Sequence, residues 1–239
     1  MPMAVRRLAR LRKRLSVADG IAPAGPVKLV ILPRTRIGLG RSGLRKHLET
    51  VHGPMVVSEP DVSGRFSSYV HHYVQELTVP ADMANLQDRD AVTIIRTPSM
   101  ADLGLSKATA AYRDRISPDE DNFREVEGSL ALLAEEFEIA PGVDHAASKL
   151  FIFRNAASDR LDEWASKVGE LVLANGLHGA VINVTKTIEG QFPYSQFDEI
   201  GLPATRDSTA IAAIIHQAAL AHFGAVETRL LLAEPVRFI

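Results

Sequence analysis

This sequence of 239 residues lacks several features on which proteins often rely. It contains no cysteine, which excludes disulfide bonds, thiolate metal sites and a cysteine nucleophile, and is compatible with a reducing compartment. No apolar run approaches the roughly 20 residues of a membrane-spanning helix, so we expect a soluble, cytoplasmic protein. The sequence also lacks the Gly-x-Ser-x-Gly elbow, the Walker loop and the His-Glu-x-x-His zinc motif. Any catalysis is therefore expected to be acid–base chemistry without a cofactor.

The sequence also has little excess charge of either sign. Its formal net charge is −2 and its pI is about 6.5, so no overall basic field points to a nucleic-acid partner. Apolar residues make up 46% of the chain, enough to bury the core of one large domain or of two small ones. Small molecules or other proteins are the expected partners.

Residues 1–26 are predicted to form a basic arm and linker. Six basic side chains and no acid occur before position 19, and four apolar residues recur at helical spacing. A transit peptide or a membrane-surface anchor is one interpretation. The favoured interpretation is an arm that packs on its own domain or on a partner subunit, followed by a Pro/Gly linker.

Residues 27–140 alternate between strand and helix patterns in the order βαββαβ. The helix after the first strand carries Leu44, Leu48 and Val51 on one face, and Gly53 and Pro54 are expected to end it. The other predicted elements are strands at Val27–Leu32, Arg65–Leu77, Val92–Thr97 and Ser129–Ile139, and a helix at about Met100–Arg115.

A glycine-rich stretch, Gly38 to Gly43, formally matches the dinucleotide fingerprint G-x-G-x-x-G. That fingerprint requires the first glycine to follow its strand directly, whereas Pro33 to Ile37 intervene here. The next apolar segment, Met55 to Val57, is too short and too close for a βαβ unit. Loop glycines, with Ser42 as a helix cap, explain the stretch better.

Residues 141–239 repeat the same element order. Lys149-Leu150-Phe151-Ile152 echoes Lys28-Leu29-Val30-Ile31 and is followed by a predicted helix, two strands, a helix and a last strand. The predicted elements are Ser158–Asn175, Gly179–Thr187, Gln196–Leu202, Asp207–Phe223 and Val226–Ala233. A repeat of element order predicts an internal duplication.

Three segments of the first half carry a resemblance to a known family. They are the helix ending Glu49-Thr50-Val51-His52-Gly53-Pro54, the strand Tyr69-Val70-His71-His72, and Asp119-Glu120-Asp121-Asn122-Phe123 ahead of the last strand. In this order they resemble the EthD family of the dimeric α/β-barrel superfamily.

The resemblance implies an α+β fold in which two ferredoxin-like halves close one β-barrel. Such halves normally belong to two chains, so this chain looks like a dimer fused into one polypeptide. The second half lacks both the His-Gly-Pro ending and the Asp-Glu-x-Asn-Phe segment. The site is therefore expected in the first half.

The strand at Arg65–Leu77 carries the leading catalytic candidates. Its alternation places Tyr69, His71 and Tyr73 on one polar and aromatic side, which is typical of a cavity lining. His71 is the leading general acid or base, because an imidazole both takes and gives protons near neutral pH. The two phenols would bind a substrate carbonyl or orient the imidazole. The alternative is that these side chains only fill space.

Three other histidines have different predicted roles. His52 ends the predicted helix, where it either caps the last carbonyls or reaches over the barrel mouth as a second acid. His72 points to the other side of its strand and is predicted to be a core residue. His47 is expected on the helix surface.

Substrate-binding candidates come from three other segments. Arg96 pairs with a substrate carboxylate or with a surface acid, Tyr112 is a pocket candidate, and Phe123 is expected to plug the barrel. A metal site at Asp119 to Asp121 is disfavoured, because adjacent acids point in different directions and no EF-hand-like loop is present. We expect no metal.

These observations together predict a cofactor-independent lyase, a decarboxylase or dehydratase, acting on an apolar aromatic or polyketide-like molecule in the barrel. The substrate class comes from the resemblance, since the family is associated with polyketide tailoring and with breakdown of small organic compounds. The alternatives are a non-catalytic module that binds a hydrophobic ligand or a protein, and a cofactor-free monooxygenase or haem enzyme. Another partner that the resemblance allows is a second copy of this chain, which would give a homodimer of fused barrels.

Overall fold

The computed structural model describes residues 26–78, 84–86, 89–155, 160–186 and 193–239. The predicted basic arm lies outside the described residues except for Pro26. Within these residues the strands are Val27–Thr35 (β1), Ser68–Gln75 (β2), Ala84–Asn85 (β3), Ala91–Thr97 (β4), Arg124–Ala140 (β5), Ser148–Arg154 (β6), Ala180–Lys186 (β7), Gln196–Leu202 (β8) and Thr228–Arg237 (β9).

Seven α-helices are described between these strands. The α-helices are Gly40–His47 (α1), Gly53–Val57 (α2), Pro60–Ser63 (α3), Met100–Lys107 (α4), Ser117–Phe123 (α5), Leu161–Asn175 (α6) and Ser208–Phe223 (α7). Two π-helical turns, Leu48–His52 and Tyr112–Ile116, and a 3₁₀ turn, Val143–His145, complete the described elements. No helix in the described part of the chain is long and apolar enough to cross a bilayer.

Eight strands close into one antiparallel barrel, which confirms the expected α+β class. Their order is β2-β4-β1-β5-β7-β8-β6-β9, and β9 pairs back with β2. The short β3 adds to β9 in parallel. Closure leaves none of the eight barrel strands at an open edge, which protects their backbone groups from pairing with another chain.

The two sides of the barrel wall have different neighbours. Inward side chains from both halves pack together, with Phe153 stacked between Phe151 and Phe197 at centroid distances of 6.5 and 5.3 Å. Outward side chains pack under the helices in several further clusters, some of which combine residues of both halves. The middle of the barrel is therefore a packed core. The space between the sheet and the helices lies on the outer side of the barrel wall.

A buried ionic network links the two halves at one end of this core. Glu199 on β8 has an exposed fraction of 0% and accepts hydrogen bonds from Lys28 on β1 and Lys149 on β6, the latter at 3.1 Å. Burial opposes ionisation of Glu199, but the two lysines outweigh it and hold its pKa well below the ordinary value. Lys28 also donates to Glu136 and Asn183, each at 2.9 Å.

Several local predictions need correction. The first helix does not stop at Gly53 and Pro54 but continues through the π-helical turn into α2. Ser42 does not cap it, because α1 already begins at Gly40 and no side chain caps its start. The helix predicted at Met100–Arg115 breaks after Lys107 into a separate π-helical turn.

The buried network predicts a large stability loss for Lys28→Met. The substitution removes the ammonium group that forms ion pairs with both Glu199 and Glu136. Removing one partner of a buried ion pair typically costs about 3–5 kcal/mol. Lys167→Met is the matched control, since its pair with Glu170 is 48% and 69% exposed and contributes about 0–1 kcal/mol. Urea unfolding measures both free energies. Equal losses in the two variants would contradict the assignment.

Candidate functional site

A cavity of about 140 Å³ lies between the outer side of the first-half strands and the helices that cover them. Its floor includes Leu29 and Ile95, and its roof includes Leu48, Val56 and Phe123. An apolar cavity of roughly 150 Å³ accommodates benzene, so this one holds about one aromatic ring. The polar groups that reach it include the side chains of His52, Tyr69, His71, Thr93, Tyr112 and Glu120.

The His52-Gly53-Pro54 corner puts a histidine into this cavity. The amide of Gly53 donates to the carbonyl of Leu48, five residues back, which is the π-helical spacing. A Cβ at Gly53 would lie 2.7 Å from that carbonyl oxygen and would overlap the ring of Phe238. Pro54 has no amide hydrogen and cannot make the usual helical hydrogen bond. The extra residue of the π turn accommodates Pro54, so the helix continues past it. Only glycine fits the corner, and His52 faces the cavity as a result.

His52 is held by a carboxylate that lies far from it in the sequence. Its Nδ1 lies 2.9 Å from Oδ2 of Asp119 in α5, and in the described structure no protein group bonds to its Nε2. Burial lowers the pKa of His52 below the ordinary value, although the hydrogen bond to Asp119 opposes this effect. The imidazole is therefore neutral at neutral pH, with Nδ1–H donated to Asp119 and the Nε2 lone pair available in the cavity. An Asp–His pair of this kind orients a general base.

Asp119 is itself fixed by other donors. It accepts from Nε2 of His47 at 3.0 Å and from the amide of Asn122 at 3.0 Å, in addition to His52. Burial opposes its ionisation, but these hydrogen bonds outweigh it and hold its pKa below the ordinary value. Among the described residues no group of three or more acidic or imidazole side chains has a metal-binding arrangement. The Asp119 carboxylate is therefore shared by His47 and His52.

His71 lies in a chain of hydrogen bonds with both ring nitrogens occupied. The Tyr69 hydroxyl is 2.8 Å from Nε2, and the Thr93 hydroxyl is 2.8 Å from Nδ1. Burial, with a small contribution from His52, lowers the pKa of His71 to about 3, and its exposed fraction is 1%. A neutral imidazole with no free nitrogen is unsuited to proton exchange with a substrate. His71 positions Tyr69, whose hydroxyl borders the cavity.

Two aromatic candidates have different surroundings from those predicted. Tyr73 is buried near Leu44 and Phe123, outside the cavity lining, and the Arg45 guanidinium lies 4.8 Å from its ring centroid. Phe123 does not plug the barrel, because α5 holds it among the helices, 4.8 Å from the His52 ring. Tyr112 lines the cavity as predicted and donates to Glu120 at 3.3 Å; burial raises its pKa to about 12.

Arg96 does not line this cavity and forms an ion pair, the alternative that the sequence left open. Arg96 faces the barrel interior, where it donates to both carboxylate oxygens of Glu136 at 3.0–3.1 Å. The reason is its register opposite Lys28, an inward position. His72 is inward and buried as predicted.

Sequence reasoning missed three contributors to the site. Asp119 was noticed as a weak metal ligand, but its pairing with His52 depends on a contact across 67 residues. Thr93 gave no signal at all. Phe238, near the end of β9, packs on Tyr69 and His71 at centroid distances of 5.5 and 5.2 Å.

The closed barrel with flanking helices resembles several solved structures. A structure of an anthrone oxidase-like protein aligns with a TM-score of 0.56 at 12% identity, covering 90% of this chain and 94% of that one. A proposed monooxygenase from Lactobacillus acidophilus NCFM aligns at 0.50 and 8% identity, covering 90% and 95%. A chlorite dismutase variant from Candidatus Nitrospira defluvii with cyanide aligns at 0.50 and 10%, covering 95% of both. At these identities the likeness concerns the fold.

The sequence assigns the family more narrowly. Residues 36–127, which contain the His52–Asp119 pair and the Tyr69–His71 strand, match the EthD domain. No curated protein sequence matches the chain significantly. The domain match at residues 36–127 therefore confirms the resemblance that the motifs predicted.

A haem group does not fit the described cavity. A space of about 140 Å³ holds one ring, whereas a porphyrin contains four pyrrole rings. His71 cannot serve as an axial ligand while Tyr69 and Thr93 occupy both of its nitrogens. No step of the chemistry is therefore assigned to haem.

Asp119→Asn should lower the pKa of His52 further. The carboxylate stabilises the imidazolium and opposes the effect of burial, so its removal leaves desolvation less compensated. An NMR titration of the His52 ring in both proteins measures the shift. Asp121→Asn, an exposed change two residues away, is the matched control and should leave the pKa where it is. An unchanged or higher pKa in Asp119→Asn would rule out the pairing.

Proposed function

We propose that this protein is an enzyme that carries out cofactor-independent acid–base chemistry on a small apolar aromatic or polyketide-like molecule, most simply as a lyase. The observation that carries the proposal is the His52–Asp119 pair, placed in an apolar cavity that holds about one ring. A neutral imidazole with one nitrogen free and the other on a carboxylate is the arrangement of a general base.

In the proposed decarboxylation, His52 acts on a hydroxy-aromatic acid. Its Nε2 takes the phenolic proton. In the tautomer in which Nε2–H of His71 donates to the Tyr69 oxygen, Tyr69 keeps its own hydroxyl hydrogen and donates it to the developing phenolate. The imidazolium then protonates the ring carbon that bears the carboxylate. The bond to the carboxylate breaks, carbon dioxide leaves, and its electron pair restores the aromatic ring as a phenolate, which takes one proton from solvent. The apolar lining favours loss of the charged carboxylate as a neutral gas.

The same base serves a dehydration, in which His52 removes a proton next to a carbonyl and then protonates the departing hydroxyl. The residues of the cavity support both lyase reactions equally. Product analysis separates them, since one releases carbon dioxide and the other only water.

A second candidate, a cofactor-free monooxygenase, shares the first deprotonation. Two proteins of similar fold, an anthrone oxidase-like protein and a proposed monooxygenase, support this candidate. In that case molecular oxygen accepts electrons from the substrate anion, and oxygen uptake accompanies turnover. A non-catalytic binding module would show ligand-dependent stabilisation without any product.

We also propose that the chain consists of two fused ferredoxin-like halves, residues 27–140 and 141–239, after a basic arm at 1–26. The strand orders β2-β4-β1-β5 and β7-β8-β6-β9 support this division, because each places the first and last strands of its half side by side. Pairing of β5 with β7 and of β2 with β9 would replace the contacts between two chains. Further association into homodimers stays a prediction.

His52→Gln should reduce kcat/KM by about 10²–10⁴-fold on monocyclic hydroxy-aromatic acids, because the general base is lost. His47→Gln is the matched control, since His47 binds the same carboxylate but does not line the cavity. It should retain activity within about tenfold. Carbon dioxide release, product masses and oxygen uptake are followed together. Equal losses in both variants, with both proteins folded, would contradict the assignment of the base.

The pH dependence of kcat/KM should have an acidic limb with an apparent pKa below 6.5. His52 must be unprotonated to act as a base, and burial lowers its pKa from the ordinary value of 6.5. The midpoint of the loss of activity at acidic pH is therefore expected below 6.5. A limb centred above 6.5 would show that another group limits the reaction.

A further inference from the structure

A second cavity, of about 210 Å³, lies at one end of the barrel on the inner side of β2. Inward side chains of β2, β6 and β9 and the 3₁₀ turn that connects the two halves line it: Val70, His72, Asp144, Lys149, Pro235 and Arg237 are among them. The side chains of His71 and His72 point to opposite sides of the strand. The wall of the barrel therefore separates this cavity from the candidate active site.

Comparison of equivalent strand positions explains why a space exists here. Lys28 lies opposite Ala134, and Lys149 occupies the corresponding position opposite Ala233. Around Lys28, the β5–β7 pairing places Glu136 beside Asn183, and both accept hydrogen bonds from the lysine.

Around Lys149, the corresponding β2–β9 pairing places Pro235 beside His72. Neither of these two side chains accepts a hydrogen bond from Lys149. Lys149 turns instead to Asp144 at 2.8 Å and to Glu199. The volume that protein groups fill in one half is thus open in the other, at the position of a missing carboxylate.

His72 contributes an unused acceptor to this space. Its Nδ1 lies 3.0 Å from the carbonyl oxygen of Val92, so that nitrogen carries the hydrogen. Its Nε2 is buried without a hydrogen-bond partner among the described residues, and the side chain has an exposed fraction of 1%. Burial, assisted by the charge of Lys149, lowers its pKa well below the ordinary value. The neutral ring can accept one hydrogen bond and cannot donate a second.

The charges around the cavity leave one cation without an acidic side chain as partner. The cations Lys28, Lys149 and Arg96 are balanced by Glu136, Glu199 and Asp144, with which they form a continuous set of ion pairs. Arg237 is exposed and forms no ion pair with an acidic side chain of the described residues; it donates to the hydroxyl of Ser68 at 3.5 Å and to the main-chain oxygen of Ile239 at 3.4 Å. Its guanidinium is therefore the cation at the cavity mouth that an entering anion can pair with.

We infer that this cavity binds a small monoanionic oxyanion that carries its own hydroxyl group, such as a short hydroxy acid or hydrogencarbonate. The anionic oxygens lie toward Lys149 and Arg237, and the hydroxyl donates to Nε2 of His72. An anion without a hydroxyl leaves that nitrogen unpaired, and a buried unpaired acceptor costs binding energy. The inference is independent of the proposed function, because none of these side chains reaches the first cavity.

The probes are sodium glycolate, sodium hydrogencarbonate and sodium acetate, titrated into the full chain by calorimetry at equal ionic strength. Glycolate and acetate differ by one hydroxyl, so glycolate should bind about tenfold or more tightly. Tight binding of hydrogencarbonate alone would identify an inorganic oxyanion, and tight binding of glycolate an organic hydroxy acid. Equal affinities for glycolate and acetate, or no saturable binding of any probe, would overturn the inference and leave a water-filled cavity.

Two variants separate the roles of the side chains. His72→Phe keeps a ring beside Phe151, now 5.2 Å away, and should bring the glycolate-to-acetate affinity ratio to about one. Arg237→Gln, an exposed change, should weaken both anions by a similar factor. If His72→Phe does not fold, the ¹⁵N shift of Nε2 in the unaltered protein replaces it. That signal should move with glycolate but not with acetate, and equal shifts would count against the inference.

Discussion

The alternation of side chains along the strands of a closed barrel determines the arrangement of this protein. Each strand has to supply one set of residues to an enclosed core and another to the helices outside. Neighbouring histidines on β2 therefore belong to different environments: His71 faces the helices of the first half, and His72 faces the interior. The inward Phe151, Phe153 and Phe197 fill the middle of the barrel, and the one-ring cavity lies on the outer side of the wall, under the helices.

Within that cavity, hydrogen-bond partners distinguish two histidines that burial affects in the same way. Desolvation lowers the pKa of both His52 and His71. His71 is enclosed by Tyr69 and Thr93, whereas His52 has a carboxylate on one nitrogen and the cavity at the other. The His52-Gly53-Pro54 segment has a structural role, because Gly53 permits the close packing of the π turn that carries His52.

The sequence predicted the strands well because their period is local, and the barrel strands fall where the apolar alternation places them. It predicted the family from motifs that the domain match confirms. The π turn was not predictable from the Gly-Pro pair, which ordinarily ends a helix. Nor was the His52–Asp119 pair, since a contact across 67 residues depends on how α5 docks against the first helix. The sequence could not choose between the two roles it left open for Arg96, because the inward direction of this side chain follows from the register with β1.

The second half also has a part in the site, although it lacks the motifs of the first. Phe238 directly follows its last strand, β9. The ring packs against Tyr69, His71 and the glycine of the helix corner, and the backbone amide donates to the carbonyl of Tyr69 at 2.9 Å. The alignment of the Tyr69–His71 pair therefore depends on closure of the barrel by β9. The pairing register places Glu136 beside Asn183 and Pro235 beside His72. One sheet therefore carries a buried ion pair at the first position and an open cavity at the second.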